Sequence, residues 1–238
     1  MIEFNGIKST SLGVFVEKYP PRPVPQRKME RYSVPGRSGD VLFYEEAWEN
    51  VKQKYEIYLS AERDGLPYVS AQVVRWLNVG GYAELSDEYD RDTFRLAAFT
   101  GPVDLQNTLN QFGRATIEFD CKPQRYLKSG KSFRPLRNGD VLVNPTGYRA
   151  APLIRIPAFS GTVTISTNDY QFSFGPYAGP VMLDSEEKEA YNPDFATAVN
   201  LNALAVGGYP MLDPGVSEFA ITKMGEAPIE IAPRWYEL

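Results

Sequence analysis

Apolar and polar residues alternate with a period of two through much of the chain, which predicts a protein built mainly from strands. In "VKQKYEIYL", Val51, Tyr55, Ile57 and Leu59 fall on one face, with Lys52, Lys54 and Glu56 on the other. In "TFRLAAF" the same rule groups Phe94, Leu96 and Ala98. In "ATIEFDC" it groups Ile117, Phe119 and Cys121 opposite Thr116, Glu118 and Asp120. One segment of the first half has a helical period instead. In "DGLPYVSAQVVRWLNVGG", Val69, Val73, Trp76 and Leu77 make one apolar stripe, Pro67 fits a first turn, and Gly80 and Gly81 supply the stop.

Beyond Gly130 the pattern offers strand after strand and no strong amphipathic helix. "GTVTISTNDYQFSFG" reads as a hairpin, with Val163 and Ile165 on one arm, Phe172 and Phe174 on the other, and Asn168-Asp169 at the turn. "PLIRIPAF", "PVML", "EFAITKM" and "PIEIAPRW" predict four more strands, and residues 184–202 a short helix or a long loop. The expected fold is mainly β with one α-helix. A helix-bearing β unit spans residues 1–130 and an all-β sandwich spans 131–238. Between them Pro123 removes a ladder donor and stops the strand that ends at Cys121. Pro123, Arg125 and Tyr126 are therefore the expected inter-domain hinge.

Two stretches break the alternation. Residues 19–40, "YPPRPVPQRKMERYSVPGRSGD", open with closely spaced prolines and read as an extended arm or edge segment, stiffened toward polyproline geometry. Arg22, Arg27, Lys28, Arg31 and Arg37 concentrate positive charge there beside Tyr19 and Tyr32. Such a mixture binds single-stranded nucleic acid, grips an acidic neighbouring subunit, or is solvated. "PGRSGD" lacks the Gly-Lys-Ser/Thr ending of a phosphate loop and reads as a tight turn. The second stretch, "SEEKEAYN", places Glu186, Glu187 and Glu189 near Asp184. It reads either as a carboxylate pair for glycoside hydrolysis or, more simply, as a charged loop.

Composition narrows the chemistry. The chain has 238 residues, one cysteine and no histidine, so an internal disulfide, Ser-His-Asp triads and His-containing metal sites are excluded. Cys121 belongs to an apolar strand face, which marks it as a small core residue rather than a nucleophile. No cofactor is expected. The longest apolar runs fall far short of the roughly 20 residues needed to cross a bilayer, and the first residues do not read as a secretory signal. A net charge of −5 opposes a dedicated nucleic-acid binder.

In order along the chain, "FNGIKSTSLGVFVEK", "SVPGRSGDVL", "VVRWLN", "AELSDEYDRDTFRLAAF", "GRATIEFDCKPQRYLKSG", "VNPTGYRAAPLIRI", "VMLDSEEKEAYN", "YPMLDPGVSEFAI" and "IEIAPRWYEL" resemble the distal tail proteins of siphophages that infect Gram-positive bacteria, and of their prophages. The resemblance covers nearly the whole chain. It implies a tail-tube-like β-sandwich N-terminal domain that closes a homohexameric ring, and a galectin-like β-sandwich C-terminal domain that projects outward. It implies no enzyme activity. It places the protein in the virion, at the distal end of a long non-contractile tail assembled in the host cytoplasm. The implied partners are the tail tube protein, the tape-measure protein, the tail-tip hub protein and a receptor-binding protein. DNA only passes through the lumen, which a net-acidic chain suits, and no membrane insertion is implied. A ring gives the arm a use, and Pro21, Arg22, Pro23, Arg27, Lys28 and Arg31 are the expected subunit interface. The rival expectation is a carbohydrate-binding module that recognises host cell-wall polysaccharide through the C-terminal domain.

Overall fold

The structure, a computed structural model, describes residues 1–62, 65–102, 111–168, 170–193, 199–223 and 227–238, and the main chain of 106–108. The chain divides into two compact units, Met1–Arg125 together with Leu238, and Tyr126–Glu237. The first unit contains strands β1 (Ile2–Phe4), β2 (Ile7–Lys8), β3 (Val14–Val16), β4 (Arg27–Tyr32), β5 (Val41–Trp48) and β6 (Val51–Ser60). Helix α1 (Leu66–Leu77) follows, then β7 (Ala83–Asp87), β8 (Thr93–Phe99), β9 (Gln106–Thr108) and β10 (Phe112–Cys121). No helix among the described residues is long and apolar enough to cross a membrane.

The main sheet of this unit runs β2-β1-β7-β8-β10-β6-β3, with β9 on β10. Its spine is the antiparallel pair β6 and β10, in register from Val51↔Cys121 to Ser60↔Phe112. Alternation in β6 is answered fully, since Val51, Gln53, Tyr55, Ile57 and Leu59 are buried while Lys52, Lys54, Glu56 and Tyr58 face out. Ile117, Phe119 and Cys121 of β10 join the same core. Across it lies α1, whose Leu66, Val73, Trp76 and Leu77 are buried while Val69 packs at the margin. Each such side chain contributes about 1.5–3 kcal/mol. Trp76 also donates its indole N–H to the Phe4 carbonyl at 3.0 Å, so its one polar atom is not stranded.

One expected face is reversed. In β8 the deeply buried positions are Arg95 and Ala97, while Phe94, Leu96 and Ala98 are half-buried. The apolar count favours the even positions. The odd face wins because Arg95 finds carbonyl acceptors in the interior, where a guanidinium is tolerated once its donors are satisfied. The proline-rich stretch, expected as an extended arm or edge segment, becomes β4 after Gln26, which among the described residues pairs with β5 in a two-stranded ribbon. The "PGRSGD" turn closes that ribbon, and the Arg37 N–H bonds the Val34 carbonyl at 3.1 Å.

The second unit holds β11 (Arg125–Leu127), whose first residue belongs to the first unit, β12 (Arg134–Leu136), β13 (Val141–Asn144), β14 (Leu153–Ser166) and β15 (Gln171–Asp184). It continues with β16 (Glu189–Asn192), β17 (Val199–Asn200), β18 (Ala205–Gly207), β19 (Gly215–Glu218), β20 (Ala220–Thr222), β21 (Ile229–Ala232) and β22 (Tyr236–Glu237). One sheet runs β12-β21-β14-β15-β16-β17, and β13 pairs with β19 in a separate ribbon. The expected hairpin is present, with Val163 opposite Phe174 and Ile165 opposite Phe172, all four without solvent exposure. Asp169 of its turn lies outside the described residues. "PLIRIPAF" and "PVML" are not separate strands. They extend the two arms into 14-residue strands, with register shifts after Ile156 and Gly161 that let the pair bend. In residues 184–202, expected to hold a short helix or a long loop, the described part instead contains β16, paired with β15, and β17, while residues 194–198 lie outside the described residues. Gly130 is needed where it stands, since a β-carbon would meet the Trp235 nitrogen at 2.7 Å. The described chain is therefore mainly β with one α-helix.

Candidate assembly surface

The β4 and β5 ribbon departs from the period-2 patterning of the spine strands β6 and β10. "VLFYEEAW" begins with four consecutive apolar or aromatic residues, so no period-2 rule can put all of them on one side. Register places Tyr32, Val41 and Phe43 on one face and Met29, Leu42, Tyr44 and Trp48 on the other. Both faces are thus apolar, and both lie open: Leu42 is 42% exposed, Phe43 59% and Tyr44 55%. Rings of Tyr32 and Phe43 meet edge to face at 5.4 Å. A two-stranded ribbon is marginal in water by itself, and an apolar ribbon edge invites pairing with another chain.

Its charges are segregated by strand. β4 carries Arg27, Lys28 and Arg31 against Glu30 alone, whereas β5 carries Glu45 and Glu46 and no cation. Arg27 lies under the Tyr44 and Trp48 rings, at 5.6 and 5.3 Å from their centres, and stiffens the ribbon's base. Lys28 is exposed, and Arg31 is exposed opposite Leu42 with its guanidinium near the Met29 sulfur at 4.0 Å.

Three of the expected interface residues sit elsewhere, on the arm that leads into the ribbon, and this chain itself holds them. Gln53 Nε2 donates to the Pro21 carbonyl at 2.9 Å, and Arg95 Nη2 donates to the Pro23 carbonyl at 3.2 Å. Arg22 pairs with Asp90 at 3.1 Å, and Tyr19 packs on Tyr89 with ring centres 4.5 Å apart. Gln53 and Arg95 were not legible as anchors, because both occupy inward positions of strands where pattern demands an apolar residue. Phe43 and Tyr44 had a readable signal in the broken alternation of β5.

The expected hinge residues are also engaged. The buried Pro123 offers its carbonyl to Arg95 Nη1 at 3.2 Å. Arg125 pairs with Asp90 at 3.1 Å and donates to the Leu238 main-chain oxygen at 2.9 Å. Tyr126 is buried and donates its hydroxyl to Glu186, 3.0 Å from Oε1. Burial, aided by the Glu186 carboxylate, pushes the Tyr126 hydroxyl far above its usual range.

The acidic stretch is an ion-pair cluster. Arg234 grips Asp184 with two bonds, at 2.7 and 2.9 Å, and approaches Glu186 at 3.6 Å. Burial pushes the Asp184 carboxyl up, but the bonds and charge of Arg234 outweigh it and hold the group below its ordinary range. A glycosidase acid needs the opposite shift, a carboxyl that keeps its proton near neutral pH. Cys121 has no solvent exposure, and burial pushes its thiol up to about 12, so it stays a neutral core residue. Among the described residues no group of three or more Cys, Asp or Glu is placed to hold a metal ion.

No family model matches the sequence, and no curated protein matches it. Solved structures do. The chain is similar to the SPP1 Dit protein, described as a paradigm of the hub of the adsorption apparatus in phages that infect Gram-positive bacteria. The TM-score is 0.71 at 13% identity, and the match covers 97% of this chain and 96% of that one. It is also similar to a chain of the phage P2 baseplate in its activated conformation, solved with calcium and with strontium. There the TM-score is 0.54 at 11% identity, covering 92% of this chain and 90% of the other. The chain therefore shares its fold with these phage proteins over nearly the full length of both chains.

Proposed function

We propose that the protein is a structural component of a long non-contractile phage tail, a hub at the distal tail end where six copies close a ring. The observation that carries this reading is the two-unit likeness to a phage hub protein over 97% of the chain. In this role the first unit, with its tail-tube-like fold, forms the ring and joins the tube and tape measure to the tail tip. The second unit, with a galectin-like sandwich, supports a receptor-binding protein at the periphery, and Pro123, Arg125 and Tyr126 form the hinge between the two.

The ribbon's charges favour a ring over a two-fold pair. When β4 of one copy lies beside β5 of the next, the Arg27, Lys28 and Arg31 side faces Glu45 and Glu46. A symmetric pair sets like charges together. Such a head-to-tail contact repeats, and it closes into a ring when the rotation between copies allows. Arg27, Lys28 and Arg31 are then interface residues, while Pro21, Arg22 and Pro23 act from behind by aiming the ribbon.

Electron microscopy of the purified protein tests the proposal: six-fold rings with a central channel are expected. A protein that stays monomeric by light scattering at every accessible concentration removes it. The carbohydrate-binding rival lacks a specific observation in its favour. Sugar sites use exposed aromatic faces, and every exposed large apolar side chain described in the second unit is a valine.

A further inference from the structure

Residues 19–23, the arm, and residues 122–125, which lead out of β10, share two anchors. Arg95, buried in β8, spreads its guanidinium between them. Nη2 bonds the Pro23 carbonyl at 3.2 Å, and Nη1 bonds the Pro123 carbonyl at 3.2 Å and the Lys122 carbonyl at 3.5 Å. Asp90 takes Arg22 from the arm and Arg125 from the exit segment on one oxygen, each at 3.1 Å. We propose that Arg95 couples the two segments, so that docking of the arm orders the exit from the first unit and release of the arm loosens it.

The coupling follows from the geometry of a planar fork. A guanidinium holds its donors in fixed directions, so acceptors on two sides lock its plane. When the Pro23 carbonyl leaves, a buried donor is stranded and the plane is free to turn away from Pro123 and Lys122. Asp90 works in the opposite sense, because losing Arg22 leaves it wholly to Arg125. That effect is the smaller one. The Arg22 side chain is 66% exposed, so its ion pair is screened and weak, whereas the Arg95 donors are desolvated.

The arm is also built to leave. Tyr19 is 83% exposed, and a cavity of about 200 Å³ opens beneath the arm, lined by Tyr19, Pro21, Arg22, Tyr55, Asp87 and Arg95 among others. Apart from the Tyr19–Tyr89 ring contact, polar anchors hold it down, the mark of a segment that opens locally. The ribbon of β4 and β5 begins at Arg27, after residues 24–26 that follow this arm. Engagement of the ribbon thus bears on the exit segment through one buried cation.

Hydrogen exchange by NMR on the full chain tests this. The reporter is the Lys122 amide, which bonds the Leu96 carbonyl at 2.8 Å. The combined variant Tyr19→Ala with Gln53→Ala removes two arm contacts, the ring contact with Tyr89 and the bond to the Pro21 carbonyl, and both positions lie outside the exit segment. Faster trypsin cleavage after Lys18 reports that the arm is released. The Lys122 amide should then exchange about fivefold faster or more, the low end of ordinary coupling between sites, with the central β6 and β10 amides unchanged. In an Arg95→Lys background, which keeps the charge and loses the fork, the same pair of substitutions should leave Lys122 unmoved. Should Arg95→Lys not fold, side-chain NMR of the parent supplies the second readout, and the Arg95 Nη resonances must shift when the arm is released. Unchanged Lys122 exchange with the arm released overturns the proposal, as does an arm that stays docked in the combined variant.

Discussion

Strands β5 and β6 are neighbours in sequence and opposites in what surrounds them. In "VKQKYEIYLS" every second residue is buried, and the outward Lys52 and Lys54 pair with Glu118 and Asp120 of β10 at 3.0–3.8 Å. In "VLFYEEAW" apolar residues sit on both faces of a ribbon that the described parts of the chain leave largely bare. A period-2 strand has one face for protein and one for water. A strand apolar on both faces has none for water, and outside a core it is completed by another molecule. The hydrophobic demand of β6 is met within the chain, while that of β5 is met by none of the described residues, which is what the proposed assembly would supply.

Truncating the two kinds of aromatic breaks or sharpens the contrast. Phe119 has no exposure and packs against Phe4 at 4.9 Å, so Phe119→Ala should cost about 3–5 kcal/mol in equilibrium denaturation. Next in size is Asp184→Asn, expected to cost about 1.5–3 kcal/mol, because it leaves the half-buried Arg234 without its bidentate partner. This pair has a pH signature with a fixed sign. The folded carboxyl titrates below its unfolded counterpart, so its stabilisation is complete above the unfolded value near about 4 and is lost as pH falls through the folded one. Thermal melts of the parent should therefore approach those of Asp184→Asn below about pH 4 and separate from them above it. Parallel melting curves at every pH would show that the pair adds nothing. Cys121→Ser comes third, at about 1–3 kcal/mol for a buried hydroxyl, with any ring intact. The Cys121 thiol should react with an aromatic disulfide only once the protein is unfolded. Reaction at the rate of an exposed thiol would place it outside the core.

How much was legible follows the same division. The spine of β6 and β10, the stripe of α1 and the Val163 to Phe174 hairpin were readable because each element's own pattern decides its buried face. The face of β8 was not, because Arg95 is inward for the sake of carbonyls at Pro23, Lys122 and Pro123, which lie far from it in sequence. The acidic stretch looked like a charged loop for a similar reason: Arg234, which organises it, is 50 positions from Asp184. For the candidate assembly surface, composition pointed to the cations of residues 22–31 and was silent on the aromatics of β5. The cations are conspicuous in a list of residues. The aromatics become informative only once both faces of the ribbon are known to be bare.

The smallest expected effect on folding is the most telling. Phe43 and Tyr44 are each more than half exposed and lie on opposite faces, so Phe43→Ser with Tyr44→Ser should leave the unfolding free energy of the monomer within about 0.5 kcal/mol. Buried in an interface, the same rings would be central anchors, each worth about 2 kcal/mol or more, so the pair should weaken association by a factor of roughly 1,000. Sedimentation velocity reads that loss. Charge separates this cause from a general loss of stickiness. Arg31→Glu alone should weaken assembly, and so should Glu45→Lys with Glu46→Lys. The three together set an anion at position 31 against the new cations of β5 in the next copy and should recover part of the loss. Recovery in the triple variant fits head-to-tail pairing of ribbons, whereas additive losses mean that the two strands never face each other. Full assembly of the Phe43 and Tyr44 variant would show that the ribbon is bare because it meets water, and the contrast with β6 would then have to be explained within the chain.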